Sequence, residues 1–337
     1  MKKLSLLNKI IYLINNVFAL LLLLSIVIPF IEPSSFPLIS VLSLTVPILI
    51  FAHLLFIVYW ILSGVKKQLV LSASCVLLTI FFSYFPYKFN DKVIKNDDSI
   101  TIMNYNVHLF NLYGSLEKKN IPLNISDFVA LNNPDILTFQ EYADEQINLF
   151  DFPYKYIELG KKKKFGQAIF SKYRIINSGS LDFENSFNNA IFADVIIKND
   201  TVRIYNIHLE SFGIKVNNLN LNEKESKKLL HRLSKAFLKQ QGQVEKYISH
   251  RENCNYKVIA CCDLNNTAYS WAYRNLRGND KDTFLESGIG FGKTYSFQKY
   301  PLRIDFILVD EKIQVNEHKN FDVKLSDHEP ILAKLSL

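Results

Sequence analysis

The C-terminal stretch KLSDHEPILAKLSL (Lys324–Leu337) joins a polar start to an apolar run as long as one strand. Ser and Asp are common turn residues, and Pro can begin a strand, so one interpretation is a turn followed by an edge strand. A second interpretation is that Asp327 and His328 form an acid–imidazole pair at the mouth of a sheet. The ends of the other strands have to decide between them.

From Ser99 onward, short β-rich runs alternate with polar, helix-like stretches. SITIMNYNVHLF, FGQAIFSKYRI, YKVIACCDLNN and RIDFILVDEKI are typical of strands, and FADVIIKNDTVRIYNIHLES of a hairpin that turns at Asn199–Asp200. The sequence also predicts a helix from Ile125 to about Asn132 and a long amphipathic helix at NEKESKKLLHRLSKAFLKQQGQVEKYISHR. This order predicts two packed β-sheets with helices outside them.

Polar side chains end or interrupt these apolar runs at six places. A buried carboxylate is costly unless it is paired or binds a metal, so the six places together indicate one shared site. The residue types suit hydrolysis of a phosphoester, because carboxylates bind hard cations such as Mg²⁺ and an acid–imidazole pair can supply a general base. The residues are Asn106, Glu141, His208, Asp263, Asn265, Asp305, Asp327 and His328.

Six short motifs carry these residues, in the order YNVHLF, PDILTFQEY, YNIHLES, CDLNN, RIDFIL and LSDHEP. In that order they resemble the endonuclease/exonuclease/phosphatase superfamily over about residues 99–337. FGQAIFSKYRI is similar to the segment that this family has between its second and third motifs. The resemblance implies an α/β (α+β) four-layer sandwich, with two packed, mainly antiparallel sheets flanked by helices, and metal-dependent hydrolysis of a phosphoester.

The resemblance also implies a metal site. Glu141 resembles the principal metal ligand of the family, and Asn106 lies beside it. Asp327, in the C-terminal stretch, resembles a carboxylate on the metal side. The expected cofactor is Mg²⁺ or Mn²⁺.

For catalysis, the resemblance implies roles for five more residues. Asp263 resembles the residue that orients or deprotonates the attacking water, and His328 resembles the catalytic imidazole, which Asp305 orients. Asn265 and His208 resemble the residues that contact the phosphate, so both are expected to bind substrate and to assist catalysis. The partner of His328 is therefore expected to be the distant Asp305, and not the acid beside it in the chain.

Three of these positions, and the nearby His108 of the motif YNVHLF, have alternative interpretations. His108 stands where some nuclease members have an acid, which allows either a surface position behind the ligands or a contact with substrate. Asp305 could form an ion pair with Arg303. His208 could be a histidine at a strand end whose hydrogen bonds are all made within the fold. Asn106 could have no role beyond capping a turn.

The first 90 residues differ from the rest. Two apolar blocks, Ile10–Ile31 and Leu38–Leu62, are joined by a turn that contains Glu32, and a third block covers about Gln68–Tyr87. Each is close to the ~20 residues that cross a bilayer, which predicts three transmembrane helices. The alternatives are buried core helices, or a signal peptide before a soluble domain.

Lysines near these blocks set the predicted orientation. They are Lys2, Lys3 and Lys9 before the first block and Lys66 and Lys67 after the second, whereas the loop between those blocks has neither Lys nor Arg. The positive-inside rule then places the N-terminus in the cytoplasm, and three crossings place the following domain on the non-cytoplasmic side of the inner or plasma membrane. The predicted organisation is a membrane domain over 1–90, a linker over 91–98 and a catalytic domain over 99–337.

The net charge of +7 arises mostly in the first 97 residues, which contain eight lysines and three acidic residues. The remainder has 31 basic and 29 acidic residues, so its charge gives little support to binding of long nucleic acid, although Lys161–Lys164 forms a local basic patch. The four cysteines lack the spacing of a zinc site and are expected to be small buried residues.

These features predict a membrane-anchored, divalent-metal-dependent phosphoester hydrolase, either a phosphodiesterase/nuclease or a phosphatase. Its substrate would be a lipid head group or nucleic acid, with no obligate protein partner. The alternative is a catalytically silent, membrane-anchored binding module of the same fold, which should lack one of Glu141, Asp263, Asp305 or His328. A transporter or channel is disfavoured because the apolar blocks contain no charged residues.

Overall fold

The computed structural model describes residues 5–89, 92–96, 98–114, 116, 118–143, 149–160, 164–214, 223–297 and 300–337. These residues form two compact units. The first contains the chain up to Pro86, the part of a later helix up to Gln241, and Thr267–Arg274; the second contains the remainder. Lys2, Lys3, most of the Lys161–Lys164 patch and part of the predicted linker lie outside the described residues.

Three apolar helices are the main elements of the first unit: α1 (Leu6–Val27), α2 (Val46–Ser63) and α3 (Lys66–Phe82). Short 3₁₀ turns at Ile28–Phe30 and Ile39–Leu44 connect the first two. Helix α2 ends where Gly64 adopts a left-handed φ of 68°, a conformation that glycine adopts without a steric penalty.

Several polar side chains of this unit are buried, while many of its apolar side chains are exposed. The fully buried Asn15 accepts a hydrogen bond from Trp60 Nε1 at 2.8 Å and donates one to Ser72 Oγ at 3.0 Å. By contrast, Leu62 and Phe81 are 82% and 80% exposed. Exposure of this many large apolar side chains is not typical of a water-soluble helix bundle.

The prediction of three transmembrane helices is wrong for the third block. Among the described residues, two helical segments are long and apolar enough to cross a membrane: Leu6–Phe30, with a mean hydropathy of 2.5, and Val46–Ser63, with 2.3. The third helix begins with Lys66 and Lys67 and ends at Phe82 after 17 residues. At 1.5 Å per residue it is about 26 Å long, which is shorter than the ~30 Å hydrocarbon core.

The second unit contains two six-stranded sheets and a short hairpin. The first sheet has the order β13-β14-β1-β2-β4-β3 and the second β5-β6-β7-β8-β12-β9, while β10 and β11 form the hairpin. The strands are β1 (Ile100–Asn106), β2 (Ile136–Ala143), β3 (Tyr154–Leu159), β4 (Phe165–Ser171), β5 (Ile175–Ser180), β6 (Ala190–Ile197), β7 (Asp200–His208), β8 (Lys257–Asp263), β9 (Lys281–Asp282), β10 (Tyr295–Phe297), β11 (Tyr300–Leu302), β12 (Asp305–Val309), β13 (Gln314–Asn320) and β14 (Ile331–Ser336).

Each sheet is mixed, because each has one parallel pair of strands. The pairs are β1 with β2 and β7 with β8, and all other described pairings are antiparallel. Parallel neighbours need a crossover connection, and helices α4 (Ile121–Asn132) and α5 (Glu223–Glu252) lie in those two connections. The shorter α6 (Trp271–Arg277) and α7 (Thr283–Ser287) follow β8.

The sheets pack face to face over an aliphatic core. Ile102 and Ile169 of the first sheet share one buried cluster with Ile204 and Ile259 of the second. On the outer face of the first sheet, α4 contributes Ile125 to a second cluster. Two mixed sheets flanked by helices agree with the predicted fold class. All four cysteines are free; Cys75, Cys261 and Cys262 are buried as expected, whereas Cys254 is only half-buried.

Candidate active site

Three polar residues stand side by side at one edge of the second sheet. In the strand register, Asp263 at the end of β8 is opposite His208 of β7 and Asp305 of β12. All three are buried. The pairing of three strands therefore unites residues that are far apart in sequence.

Two further residues come from the first sheet, at the ends of β1 and β2. Asn106 is the last residue of β1 and is paired with Gln140. Glu141 lies in a β-bulge between Phe139 and Tyr142 and has a φ of 49°. A non-glycine residue with a positive φ is strained, and a bulge changes the direction of a side chain, so the backbone here departs from regular strand geometry at the predicted metal ligand.

Asn106 connects the two sheets. Its Nδ2 donates to Asp263 Oδ2 at 2.9 Å and lies 3.4 Å from Glu141 Oε1. Its Oδ1 accepts from the backbone N of His108 at 3.0 Å, and its carbonyl oxygen accepts from Ser326 Oγ at 2.8 Å. Asn106 therefore caps a turn and also contacts two carboxylates of the site.

His328 is paired with Asp305. Its Nδ1 is 2.9 Å from Asp305 Oδ2, and its Nε2 is 3.8 Å from Asp263 Oδ2. Arg303 bonds Asp282 at 2.7 Å. This contact argues against the alternative in which Arg303 is the partner of Asp305.

The Asp305–His328 pair retains a proton near neutral pH. Burial opposes charge on His328, but the carboxylates of Asp305 and Asp263 outweigh this effect and raise the pKa of His328 well above its usual range. Burial also raises the pKa of Asp305; His328 opposes this change and Asp263 adds to it. The 2.9 Å separation of Asp305 Oδ2 and His328 Nδ1 is that of a hydrogen bond between the two groups.

A second group of side chains faces the open side of the site. Nδ1 of His108 lies 3.4 Å from Glu141 Oε2 and 3.4 Å from Asp327 Oδ1. The side chains of His108, Glu141 and Asp327 are 32%, 30% and 40% exposed. Burial opposes ionisation of Glu141, but the bond from His108 and the nearby histidines lower the pKa of Glu141 to about 2. Glu141 is therefore a carboxylate at neutral pH.

The two residues predicted to contact phosphate lie next to Asp263. His208 Nε2 is 3.5 Å from Asp263 Oδ2. Asn265, with a φ of 49°, donates its backbone N–H to Asp263 Oδ1 at 2.9 Å and its Nδ2 to the carbonyl oxygen of Leu209 at 3.0 Å. All eight residues predicted from the sequence thus belong to one connected network of contacts.

Two sets of side chains in this network have the chemistry of a metal site. The ligand atoms of Asp263, Asp305 and His328 lie within 4.8 Å of one another, but all three side chains are buried and His328 is bonded to Asp305. The carboxylates of Glu141 and Asp327 are partly exposed. Oxygen ligands open to solvent suit a divalent cation that also binds substrate, so Glu141 and Asp327 have the chemistry of the predicted ligands.

A buried polar network beneath the site was not predicted. Asn206 Nδ2 donates to the carbonyl oxygens of Phe139 at 2.8 Å and Ala168 at 3.1 Å. Its Oδ1 accepts from Nε2 of Gln140 at 2.7 Å and of Gln167 at 3.1 Å. These bonds join β7 to β2 and β4. The only signal in the sequence was an amide residue inside the motif YNIHLES.

Tyr295 is a second residue that sequence reasoning missed. Its ring centroid is 5.0 Å from that of His328, and the two residues form a β-bridge. Burial raises the pKa of Tyr295, and Asp327, Asp263 and Glu141 raise it further, so its hydroxyl stays protonated. A single uncharged aromatic residue before RIDFIL gave no signal in the sequence.

A cavity of about 940 Å³ opens beside Glu141 and His208. Phe165, Phe183 and Phe187 line it, together with charged residues of both signs, and Phe187 is 77% exposed. A cavity of this volume can accommodate the organic group of a small phosphoester.

Comparison with known proteins agrees with this geometry. The family model described as "Endonuclease/Exonuclease/phosphatase family" matches residues 103–328, about two thirds of the chain. A model described as a domain of unknown function matches residues 8–84. No curated protein sequence gives a significant match.

Several solved structures have the same fold. They include humanized D. rerio TDP2 (15% identity, TM-score 0.54, covering 72% of this chain and 100% of that one) and the human Nocturnin catalytic domain with bound sulfate (17%, 0.55, 74% and 96%). A third is the Bacteroides thetaiotaomicron mannosyl-6-phosphatase Bt3783 (19%, 0.50, 71% and 100%). At these identities the likeness shows the fold alone.

The fold and the site define a hydrolase that acts on phosphoester bonds. The chain belongs to the endonuclease/exonuclease/phosphatase family.

Proposed function

We propose that this hydrolase is membrane-anchored, depends on a divalent cation, Mg²⁺ or Mn²⁺, and cleaves its substrate by attack of water on phosphorus. One observation carries the proposal: the buried Asp305–His328 pair adjoins Asp263, while Glu141 and Asp327 lie on the open side of the same network. The arrangement separates the side chains that would transfer a proton, Asp263 and the Asp305–His328 pair, from the side chains that would bind a cation.

Asp263 is placed to activate the water. Its Oδ2 accepts a bond from Asn106, and the Nε2 atoms of His208 and His328 lie 3.5 and 3.8 Å away. In the proposed mechanism, a water on Asp263 gives its proton to the carboxylate as its oxygen attacks phosphorus. Asn106 and His208 keep Asp263 oriented for this transfer.

His328, His208 and Asn265 would hold the phosphate. His328 is charged and fixed by Asp305, so it can donate from Nε2 to a phosphate oxygen and stabilise charge that develops during the reaction. Glu141, Asn106 and Asp327 would hold the cation, whose positive charge would neutralise the phosphate and stabilise the leaving oxygen.

Membrane anchoring is supported by α1 and α2. Both are long and apolar enough to span a bilayer, and the first unit exposes apolar side chains while it buries polar ones. A large exposed apolar surface of this kind needs a cover, and lipid supplies it.

The side of the membrane on which the catalytic residues lie depends on how many helices cross the bilayer. The non-cytoplasmic location predicted above requires three crossings, whereas the described residues contain two helices that are long and apolar enough to cross. With two crossings, the lysine-free loop between α1 and α2 is outside, and Lys66, Lys67 and the catalytic residues are in the cytoplasm. Reporter fusions after residue 88 would distinguish the two arrangements, since alkaline phosphatase is active only outside the cytoplasm.

The proposed substrate is a phosphoester of a lipid head group or of nucleic acid. A lipid head group suits an enzyme held at the bilayer, and the structural neighbours include a mannosyl-6-phosphatase and a D. rerio TDP2 complexed with a single-strand DNA product. A panel for assay therefore needs a phospholipid, a sugar phosphate, single-stranded DNA and bis-p-nitrophenyl phosphate.

The test is to assay the full chain in detergent micelles with Mg²⁺, Mn²⁺ or EDTA. We expect turnover that requires metal and that falls at least about 100-fold in Glu141→Gln. Glu311→Gln, at an exposed turn, is the matched control and should keep wild-type activity. A folded chain that binds neither cation and cleaves none of the panel would favour the silent binding module instead.

A further inference from the structure

Phe187 is an exposed aromatic residue at the cavity beside the catalytic residues. The cavity of about 940 Å³ is lined by Phe187 and also by His208, which is expected to contact the phosphate. Phe187 is 77% exposed, and no contact between its ring and another aromatic ring occurs among the described residues. A ligand that covers this ring removes apolar surface from water, so the ring favours binding of a group that can lie against it.

Hydrogen bonds on both sides of Phe187 hold its backbone in place. Ser186 Oγ accepts from the backbone N of Asn188 at 3.0 Å. The carbonyl oxygen of Leu209 accepts from Asn188 Nδ2 at 2.6 Å and from Asn265 Nδ2 at 3.0 Å. The segment that carries the ring is therefore fixed relative to Asn265, a predicted phosphate contact, before any ligand binds, which lowers the cost of ordering on binding.

Two more aromatic residues and several charged residues line the same cavity. The aromatic residues are Phe165 and the buried Phe183. Among the described residues, no ion pair joins the charged lining residues to one another. The charged residues are Glu158, Asp182, Glu184, Lys164 and Lys246. The cavity therefore combines aromatic rings with groups that accept hydrogen bonds and groups that donate them.

This lining suits a nucleobase better than a lipid head group. A base stacks its face on an aromatic ring, and its edge carries donors and acceptors that carboxylates and lysines can pair. The rings and carboxylates would attract a quaternary ammonium group, but Lys164 and Lys246 would repel it. A polyol head group has no flat face to stack on Phe187.

We propose that this cavity binds the base of a nucleotide, with Phe187 as its stacking partner, so that the substrate is a phosphoester of a nucleotide and not of a lipid head group. The inference rests on the proposed function, because it assumes that the phosphate lies at the adjacent catalytic residues. Stacking of a base on one aromatic ring changes affinity by about tenfold or more.

Calorimetric titration of the full chain in detergent with Mg²⁺ tests the proposal. The three ligands are deoxythymidine 5′-monophosphate, deoxyribose 5-phosphate, which lacks only the base, and phosphocholine. We expect the nucleotide to bind at least about tenfold more tightly than either of the others. Phe187→Ala should lose this preference, whereas Phe187→Trp keeps a stacking ring and should retain it.

Tyr256→Ala is the matched control, because it removes another partly exposed aromatic residue. Tyr256 is 41% exposed and precedes β8, whose other end carries Asp263. At about 3.3 Å per residue, roughly 23 Å of strand separates Tyr256 from the site, so nucleotide affinity should not change. Circular dichroism of each variant establishes that it is folded before affinities are compared.

The possible failures are distinguishable. Equal affinity of the wild type for the nucleotide and for deoxyribose 5-phosphate, or an unchanged preference in folded Phe187→Ala, would overturn the base site. Tighter binding of phosphocholine that depends on Phe187 would overturn it in favour of a lipid head group. Hydrolysis of bis-p-nitrophenyl phosphate by the same samples separates the two proposals: with turnover only the base site fails, and without turnover or binding both fail.

Discussion

Asp305 and His328 are joined by a 2.9 Å contact between Oδ2 and Nδ1, although 23 residues separate them in the chain. Both side chains are buried; Asp305 begins β12 of the second sheet, and His328 lies three residues before β14 of the first sheet. The packing of the two sheets therefore brings the pair together. The bond to Asp305 fixes which nitrogen of the imidazole faces the site.

Removal of the Asp305 charge should impair hydrolysis. We expect Asp305→Asn to lower kcat by about 10²–10⁴, because His328 loses the group that orients it and supports its charge. Steady-state kinetics with bis-p-nitrophenyl phosphate measure this. Asp151→Asn in an exposed loop is the control, and a wild-type rate in folded Asp305→Asn would contradict the assigned role.

Two glycines should respond in opposite ways to alanine. A Cβ at Gly166 of β4 would lie 1.9 Å from the backbone oxygen of Glu158 in β3, so Gly166→Ala must push these strands apart. A Cβ at Gly242, in helix α5, meets no atom within 4 Å. We expect Gly166→Ala to destabilise the protein and Gly242→Ala to stabilise it by about 0.5–1 kcal/mol. Urea unfolding in detergent measures both, and equal effects would contradict the close approach of β3 and β4.

Stability should fall as the solution is acidified, partly because of His318. Burial lowers the pKa of this histidine to about 4; Asp282 opposes the change and Arg303 adds to it. Between about pH 6.5 and pH 4 the unfolded chain binds a proton that the folded chain excludes. The free energy of unfolding therefore falls by up to about 3 kcal/mol across this range from His318 alone.

The variant His318→Gln should remove that part of the pH dependence. The measurement is urea unfolding at several pH values, comparing the slope against pH and not the absolute stability. His231→Gln on the exposed surface of α5 is the control and should leave the slope unchanged. An identical slope in His318→Gln and the wild type would show that His318 does not stay neutral in the fold.

Asn206 should be important for stability because all four of its hydrogen bonds are buried. Asn206→Leu leaves two carbonyl oxygens and two amide groups with fewer partners, so we expect a loss of about 3 kcal/mol or more. Chemical unfolding measures this loss, with Asn199→Leu at an exposed turn as the control. A loss below about 1 kcal/mol would mean that the network contributes little to holding the sheets together.

The strands and the candidate site were largely predictable for one physical reason. Carboxylates and imidazoles that interrupt apolar runs are costly, so they stand out in the sequence, and here they lie at strand ends. The long helix α5 and the β6–β7 hairpin followed from hydrophobic periodicity in the same way. Helix α4 begins at Ile121, four residues earlier than predicted, with Pro122 in its first turn.

Other features were not predictable because they depend on contacts between distant segments. The place of His108 beside Glu141 and Asp327 follows from a left-handed turn that no local pattern announced. In the sequence, Tyr295 does not differ from other aromatic residues; a β-bridge in the folded chain places it beside His328. The prediction of a third transmembrane helix was wrong because hydropathy gives the extent of an apolar block and not the end of the helix within it. The structure shows that this helix ends at Phe82.

By itself, the sequence determined that two β-sheets would carry acids, amides and imidazoles at their strand ends, because burial of such groups is too costly to be accidental. The residues alone left open which acid accompanies which imidazole; the family resemblance implied Asp305 for His328, and only the tertiary structure shows the contacts. Asp327 is adjacent to His328 in the chain, yet it contacts His108, while the distant Asp305 bonds His328. Which acid contacts which histidine follows from strand register and side-chain direction. Both depend on the whole sheet and not on the residues that are adjacent in sequence.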